Sequence, residues 1–328
     1  MADTKAVSLN TIAEFLQIPA KEFEKQYKCH LSGFGDWDQK NHASQWLLFP
    51  DNIGSYLSMD EVAISNGELY TVLANKAAKG DPGALVGIIE GTRASDIVPL
   101  LQKISVANRL KVEEITLDMS PSMRAISTTA FPGTVRVIDR FHVQQLVSEA
   151  AQEIRIGLRR EALEAENNAI IAARNTGKIY TPKTYRNGDS QKQLLARSRY
   201  LLFKPSSQWT DSQKQRAEIL FEVFPSIHEA YKLSMQFRSC FEHNYSIHEA
   251  RKKLVKWYWR IEQDNLKPFI VAAESIRLHE TTILNYFINR STNASAESFN
   301  AKLKGFRALV RGVRDKDFFL FRVANLYG

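Results

Sequence analysis

The sequence predicts an α/β protein: a mixed five-stranded sheet, with a large all-helical insertion before the last helix that completes it. Three observations lead there. Between residues 58 and 139, short strand-like runs follow one another, first through tight turns and then through helices. Beyond Val143 the strand signals stop for about 140 residues, and long amphipathic segments replace them. The charge divides with the pattern. Residues 1–150 hold 14 Lys or Arg against 18 Asp or Glu, whereas residues 151–328 hold 30 against 18.

Residues 58–65 (SMDEVAIS) and 68–75 (ELYTVLAN) read as two strands joined at Asn66-Gly67, a strong hairpin signal. NKAAKGDPG is turn material, and ALVGIIE (84–90) is a third strand. Residues 93–108 form a helix distorted near its start by Pro99, VEEITLD (112–118) a fourth strand, PSMRAISTTAF a helix, and TVRVID (134–139) a fifth strand. Three sequential antiparallel strands followed by right-handed helical crossovers is the order of the ribonuclease-H-like fold. Upstream, residues 8–30 read as two short helices broken at Pro19, and residues 37–54 as a wrapped linker. Downstream, amphipathic segments cover 143–175, 189–203, 210–239, 246–264 and 267–287, with a Gly/Thr/Asn-rich break at 176–190. A last helix spans 294–310 and a short basic-aromatic tail follows. The expected organisation is a helical segment at 1–36, the sheet at 37–144, the insertion at 145–288, and the final helix and tail at 289–328.

Composition narrows the function. The 328 residues carry 44 Lys or Arg and 36 Asp or Glu, a net +8, with an ordinary 44 % hydrophobic content. No apolar run approaches the ~20 residues of a membrane span, and no signal-peptide core follows Met1. Cys29 and Cys240 alone support neither a disulfide framework nor a zinc ribbon, so a cytoplasmic protein is expected. The basic second half suits a polyphosphate partner, because each cation on a phosphate releases counterions. A phosphate-binding G-x-x-x-x-G-K-[ST] sequence is absent, which argues against an ATP-driven motor.

Three acids stand out by position. Asp60 lies in the first predicted strand and Asp118 ends the fourth; in this fold those strands are neighbours, about 4.8 Å apart. Converging carboxylates repel each other unless a cation sits between them. Glu297, on the final helix, would bring a third, a set that suits Mg²⁺ with Mn²⁺ able to substitute. Each has rivals. A strand-end Asp more often closes a turn; Asp139 ends the fifth strand and could be a supporting acid or a partner of Arg140; Glu274 and Glu280 compete with Glu297. Glu61 alternates to the opposite face and reads as structural. On the last helix Glu297, Asn300 and Lys304 share a face at i, i+3, i+7. Lys302, Lys304, Arg307, Arg311, Arg314, Lys316 and Arg322 set seven bases against two acids in the last 31 residues. From these, Asn300, Lys304, Arg307, Arg311 and Arg314 are the candidate DNA contacts. Weaker candidates are His142 as a phosphate or cation ligand, residues 251–260 (RKKLVKWYWR) as a single-strand platform, and Trp209 as a base-stacking ring. For each of these a structural role competes.

These residues sit in phrases that resemble insertion-sequence DDE transposases, and most closely the ISAon-type branch of the ISL-three group. The phrases are WDQKNHASQWLLFPDNIG, MDEVAISNGELYTVLANKAAKGDPGALVGIIEGT, TLDMSPSM, FPGTVRVIDRFHVQQL and SAESFNAKLKGFRALVRG, running from residue 37 onward. The resemblance implies metal-dependent DNA strand cleavage and strand transfer at element ends, with Asp60, Asp118 and Glu297 as the catalytic and metal-binding acids. It implies double-stranded DNA as partner and a homodimer or larger assembly. The group's N-terminal zinc-binding and helix-turn-helix region has no counterpart in the 36 residues before Trp37, so the expectation is end recognition by a separate small polypeptide or an upstream reading frame, or a truncated copy. Two other readings remain open here: a transposase-derived DNA-binding protein without catalysis, and a junction or repair nuclease on the same fold.

Overall fold

The computed structural model describes residues 1–65, 67–310 and 315–328. Asn66, half of the expected hairpin turn, and Arg311 and Arg314 lie outside the described residues. The chain divides into two units, Met1–Asp139 with Asn289–Gly328, and Arg140–Ile288.

The first unit is built on a six-stranded sheet ordered β1-β4-β3-β2-β5-β6. β2 (Tyr56–Ser65), β3 (Glu68–Asn75) and β4 (Leu85–Glu90) form an antiparallel meander, and β5 (Glu114–Leu117) and β6 (Val135–Ile138) run parallel to β2. This is a ribonuclease-H-like sheet with one strand more than expected. β1 (Trp46–Leu48) lies inside the stretch read as a linker and pairs antiparallel with β4 at the sheet edge. Three residues are too few for an alternation signal, and buried Leu47 and Leu48 are placed by contacts distant in sequence. At the β2–β3 turn, Gly67 adopts φ +83°, a conformation open to glycine.

Two helices follow β4, α3 (Ala94–Leu101) and α4 (Val106–Arg109), where the sequence suggests one. Pro99 cannot donate to the carbonyl four residues back, so the helix ends two residues later, and Ser105 caps a new one. α5 (Pro121–Ala130) links β5 to β6. One sheet face carries Val62, Tyr70, Val72, Ala74 and Ile88, and two C-terminal helices cover it: α14 (Ala294–Leu309) and α15 (Lys316–Tyr327). The expected tail is therefore a helix, with Phe318, Phe319, Leu320 and Phe321 all buried. Burying each of these side chains contributes roughly 1.5–3 kcal/mol before entropy is counted. The N-terminal pair α1 (Leu9–Leu16) and α2 (Ala20–Gln26), split at Pro19, packs Leu9 and Ile12 with Tyr27 and Phe34 against Phe318 and Phe321.

The second unit is helical. It holds α6 (Arg140–Asn175), α7 (Gln191–Arg197), α8 (Asp211–Val223), α9 (Pro225–Ser239), α10 (Ile247–Asp264), α11 (Lys267–Leu278), α12 (Glu280–Leu284) and α13 (Tyr286–Asn289). The expected segment 210–239 is broken at Pro225, which opens α9 at its first position. Trp209 donates its indole N–H to the Leu201 carbonyl at 2.8 Å and lies 5.2 Å from the Tyr231 ring, an anchor within this unit's core. Among the described residues no helix is long and apolar enough to cross a membrane.

Asp189 is the buried electrostatic knot of this unit. Arg216 donates to one carboxylate oxygen at 3.0 Å and Arg197 holds the other. Burial alone would raise this carboxyl, but the two guanidiniums hold it below the usual carboxylate range. An acid lowered on folding adds stability above its unfolded value, about pH 3.9, and loses it as pH falls through the folded value. Asp189→Ala leaves Arg216 largely buried without its counter-ion, so a loss of about 3–5 kcal/mol is expected at neutral pH. Urea denaturation should show that loss narrowing toward acid.

Candidate active site

β2 and β5 pair in parallel, Tyr56 with Glu114 and Ser58 with Thr116. Asp60 lies two residues beyond Ser58 on β2 and Asp118 two beyond Thr116, just past the end of β5, and both charges act on the Glu61 carboxyl. β5 and β6 pair Leu117 with Ile138, so Asp139 continues the same row, and its N–H donates to the Leu117 carbonyl at 3.0 Å.

Local sequence fixes each position. After Asp118 the chain reads Met119-Ser120-Pro121. The Asp118 Oδ1 accepts the Ser120 N–H at 2.8 Å, Ser120 caps α5, and Pro121 presets its first turn. Asp60 Oδ1 accepts the Glu61 N–H at 2.8 Å. α14 is rolled by Phe299, Leu303 and Phe306, which bury in the core above the sheet. That roll points Asn300 inward. It is 6 % exposed, and its Nδ2 donates to Asp60 Oδ2 at 2.7 Å. Glu297, one turn earlier, lies on the exposed edge of α14. Asn300, grouped in the sequence with the DNA-facing residues, is thus buried against Asp60.

Glu61 follows Asp60 on β2. It pairs with Thr71 on β3, on the face opposite to Asp60. Its carboxyl is nevertheless raised above the ordinary value, by burial first and then by the charges of Asp118 and Asp60. The DE pair at 60–61 was the available signal, since a long Glu side chain at the end of a short neighbouring strand can turn toward its rim. A raised carboxyl means the fold favours the protonated form, so ionising Glu61 costs stability as pH rises through its folded value. Glu61→Gln should therefore stabilise the protein at neutral pH, a gain that vanishes below about pH 4. Mg²⁺ should draw the Glu61 titration downward, as carboxyl NMR would read.

Beneath the acidic row lies a buried polar floor. Glu114 is 1 % exposed; Asn289 donates to its Oε2 at 3.1 Å, and the Lys76 ammonium stands 3.7 Å from Oε1. Lys76 also donates to Thr116 Oγ1 at 2.8 Å. Burial lowers the Lys76 pKa, against the opposing pull of Glu114 and Asp139.

Among the described residues no group of three or more His, Cys, Asp or Glu side chains is set to hold one metal ion. Mg²⁺ needs only one or two carboxylates, keeping waters and substrate phosphate in its other positions. Asp60 and Asp118 fit that requirement. The Asn300 Oδ1, buried without a partner beside Asp60, is a further oxygen donor.

The C-terminal bases divide by what they touch. Lys302 bonds the Gly80 carbonyl and Asp81, Lys316 pairs with Glu68 and Glu90, and Arg322 is buried with its guanidinium on the Ala2 and Val7 carbonyls. These hold the fold. Lys304 is exposed, and Arg307 is half-buried with its guanidinium 5.0 Å from the Phe319 ring. Arg140 and His142 belong to the helical unit, in the first turn of α6. There Arg140 lies over the Tyr286 ring at 5.7 Å and His142 sits edge-on to Phe141.

Residues 57–323 match the model of a family described as transposase, the DDE type of the ISL-three group. The chain belongs to that family of DNA transposases. No curated protein and no solved structure matches it.

Proposed function

We propose that this chain cuts DNA at the ends of an insertion sequence and joins the freed 3′-hydroxyl to target DNA. The observation that supports this reading is the parallel pairing of β2 with β5, whose continuation would bring Asp60 toward Asp118, with α14 fastened to Asp60 through Asn300. Asp60 and Asp118 would hold the divalent cation, Mg²⁺ or Mn²⁺, and Glu297 would complete the set from the helix edge. When bound, the cation supplies charge neutralisation at the scissile phosphate and a lowered pKa for the attacking water or hydroxyl. Asn300 orients Asp60 by donating to Oδ2. Ser120 orients Asp118 through Oδ1, and the Asp118 Oδ2 has no protein partner among the described residues. Lys304 and Arg307, with Arg311 and Arg314 further along the chain, would position the DNA backbone, and Asp139 would support the row. Double-stranded DNA, a homodimer or larger assembly that pairs two ends, and action in the bacterial cytoplasm complete the proposal.

The test is incubation with DNA carrying the element's own flanking repeats, in Mg²⁺ or in EDTA, with nicks mapped to the nucleotide. Divalent-dependent cuts at the repeat boundary are expected. Salt-sensitive binding without cutting would replace this reading with that of a DNA-binding protein.

A further inference from the structure

The helical unit presents a surface that the chemistry above does not use. α10 turns Ala250, Leu254, Trp257, Tyr258 and Ile261 inward. On its opposite side Lys252, Val255, Lys256 and Trp259 fall at i, i+3, i+4, i+7, one continuous stripe. Trp259 is 62 % exposed and Val255 56 %. A large ring left in water forgoes a substantial burial gain, and this one has no ring or hydrogen-bond contact among the described residues. A helical side chain leans over the turn before its own Cα, so the indole lies above Val255 and Lys256, with Lys252 about one 5.4 Å turn further back.

The charges around this stripe are settled everywhere except on the stripe itself. Arg251 pairs with Glu280 at 3.2 Å, Arg260 with Glu229 at 2.8 Å, and Glu262 with Arg277 at 2.6 Å. Glu249 is spent on the α10 cap, bonding Ser246. Lys252 and Lys256 are exposed and form no ion pair among the described residues. The result is a flat aromatic ring beside two cations whose acidic neighbours are already engaged. That combination fits a polyanion carrying planar groups. A duplex keeps its bases stacked on each other, so an exposed ring needs unpaired ones.

We propose that the outer face of α10 binds single-stranded DNA, with Trp259 stacking on an unpaired base and Lys252 and Lys256 holding the flanking phosphates. The inference rests on the chain acting on DNA, and adds that unpaired nucleotides dock on the helical unit. All three side chains are exposed, so replacing them leaves the core intact, which thermal melting of each variant confirms.

The test uses the full chain and a fluorescent oligothymidylate, with a blunt duplex as comparison, read by anisotropy over a salt series. Trp259→Ala should weaken oligothymidylate binding about 5- to 150-fold while leaving the duplex unchanged, and Trp259→Phe should retain most of the affinity. Lys252→Gln with Lys256→Gln should lower the salt slope of log K by about 1.4, two single-strand phosphate contacts. Wild-type affinity in Trp259→Ala would overturn the proposal, as would an equal loss on both DNAs. A changed oligomeric state with unchanged DNA binding would overturn it too, marking the face as a protein contact. Repeat-directed nicking of duplex DNA, run in parallel, separates this outcome from failure of the transposase reading. Nicking that persists while Trp259→Ala binds oligothymidylate normally sinks only the α10 site.

Discussion

Asp60→Ala and Asp118→Ala are each expected to lower divalent-dependent strand cleavage by about 10³-fold or more, while retention of DNA in a gel changes little. Removing either carboxylate takes away half of the pair that would hold the cation, and a bound cation is worth several kcal/mol of transition-state stabilisation. The proposed DNA contacts lie elsewhere, on Lys304, Arg307 and the neighbouring bases, so affinity should be left alone. The same variants should melt at or above the wild-type temperature, because like charges that now raise the Glu61 carboxyl are removed. Activity and stability moving in opposite directions would distinguish a functional acid from a turn residue. Asn300→Ala should fall between, since Asp60 keeps its charge but loses the 2.7 Å bond that orients it. Wild-type cleavage in both aspartate variants would remove the proposed site.

Lys76→Met should be the most damaging change to stability near the site, at about 3–5 kcal/mol, because it strands the Glu114 carboxylate in a nearly dry place. Thr116 loses its donor as well, and Thr116 and Ser58 are the paired residues two positions before Asp118 and Asp60. The floor of the site is therefore expected to loosen along with the fold. Adding Glu114→Gln to Lys76→Met removes the buried charge while keeping an acceptor for Asn289, so the double variant should regain most of the loss. Urea midpoints for the four proteins give the coupling directly. Simple additivity would mean that the ion pair does not govern this region.

Much of this architecture was legible in the chain because its signals are local. Period-two runs around a tight turn marked β2 and β3, and Asp118 was recoverable from the turn and helix start that follow it. What escaped depends on distant neighbours. β1 is three residues long and exists because β4 offers it an edge. α15 looked like a basic-aromatic tail because it is hydrophobic on all sides, as a helix buried between a sheet and two N-terminal helices must be. Asn300 was placed on a DNA-facing stripe from its spacing to Glu297 and Lys304. The roll of α14, set by three phenylalanine and leucine side chains, decides that the amide points inward instead.

The covering of the sheet by α14 and α15 has a consequence for how the protein is made. Both helices come after the helical unit in the chain, so a nascent polypeptide leaving the ribosome exposes the apolar face of its sheet through the synthesis of Arg140–Ile288. During that interval Asp60 lacks the Asn300 amide that holds its Oδ2. An unfinished chain therefore carries the proposed site without the helix that fastens it.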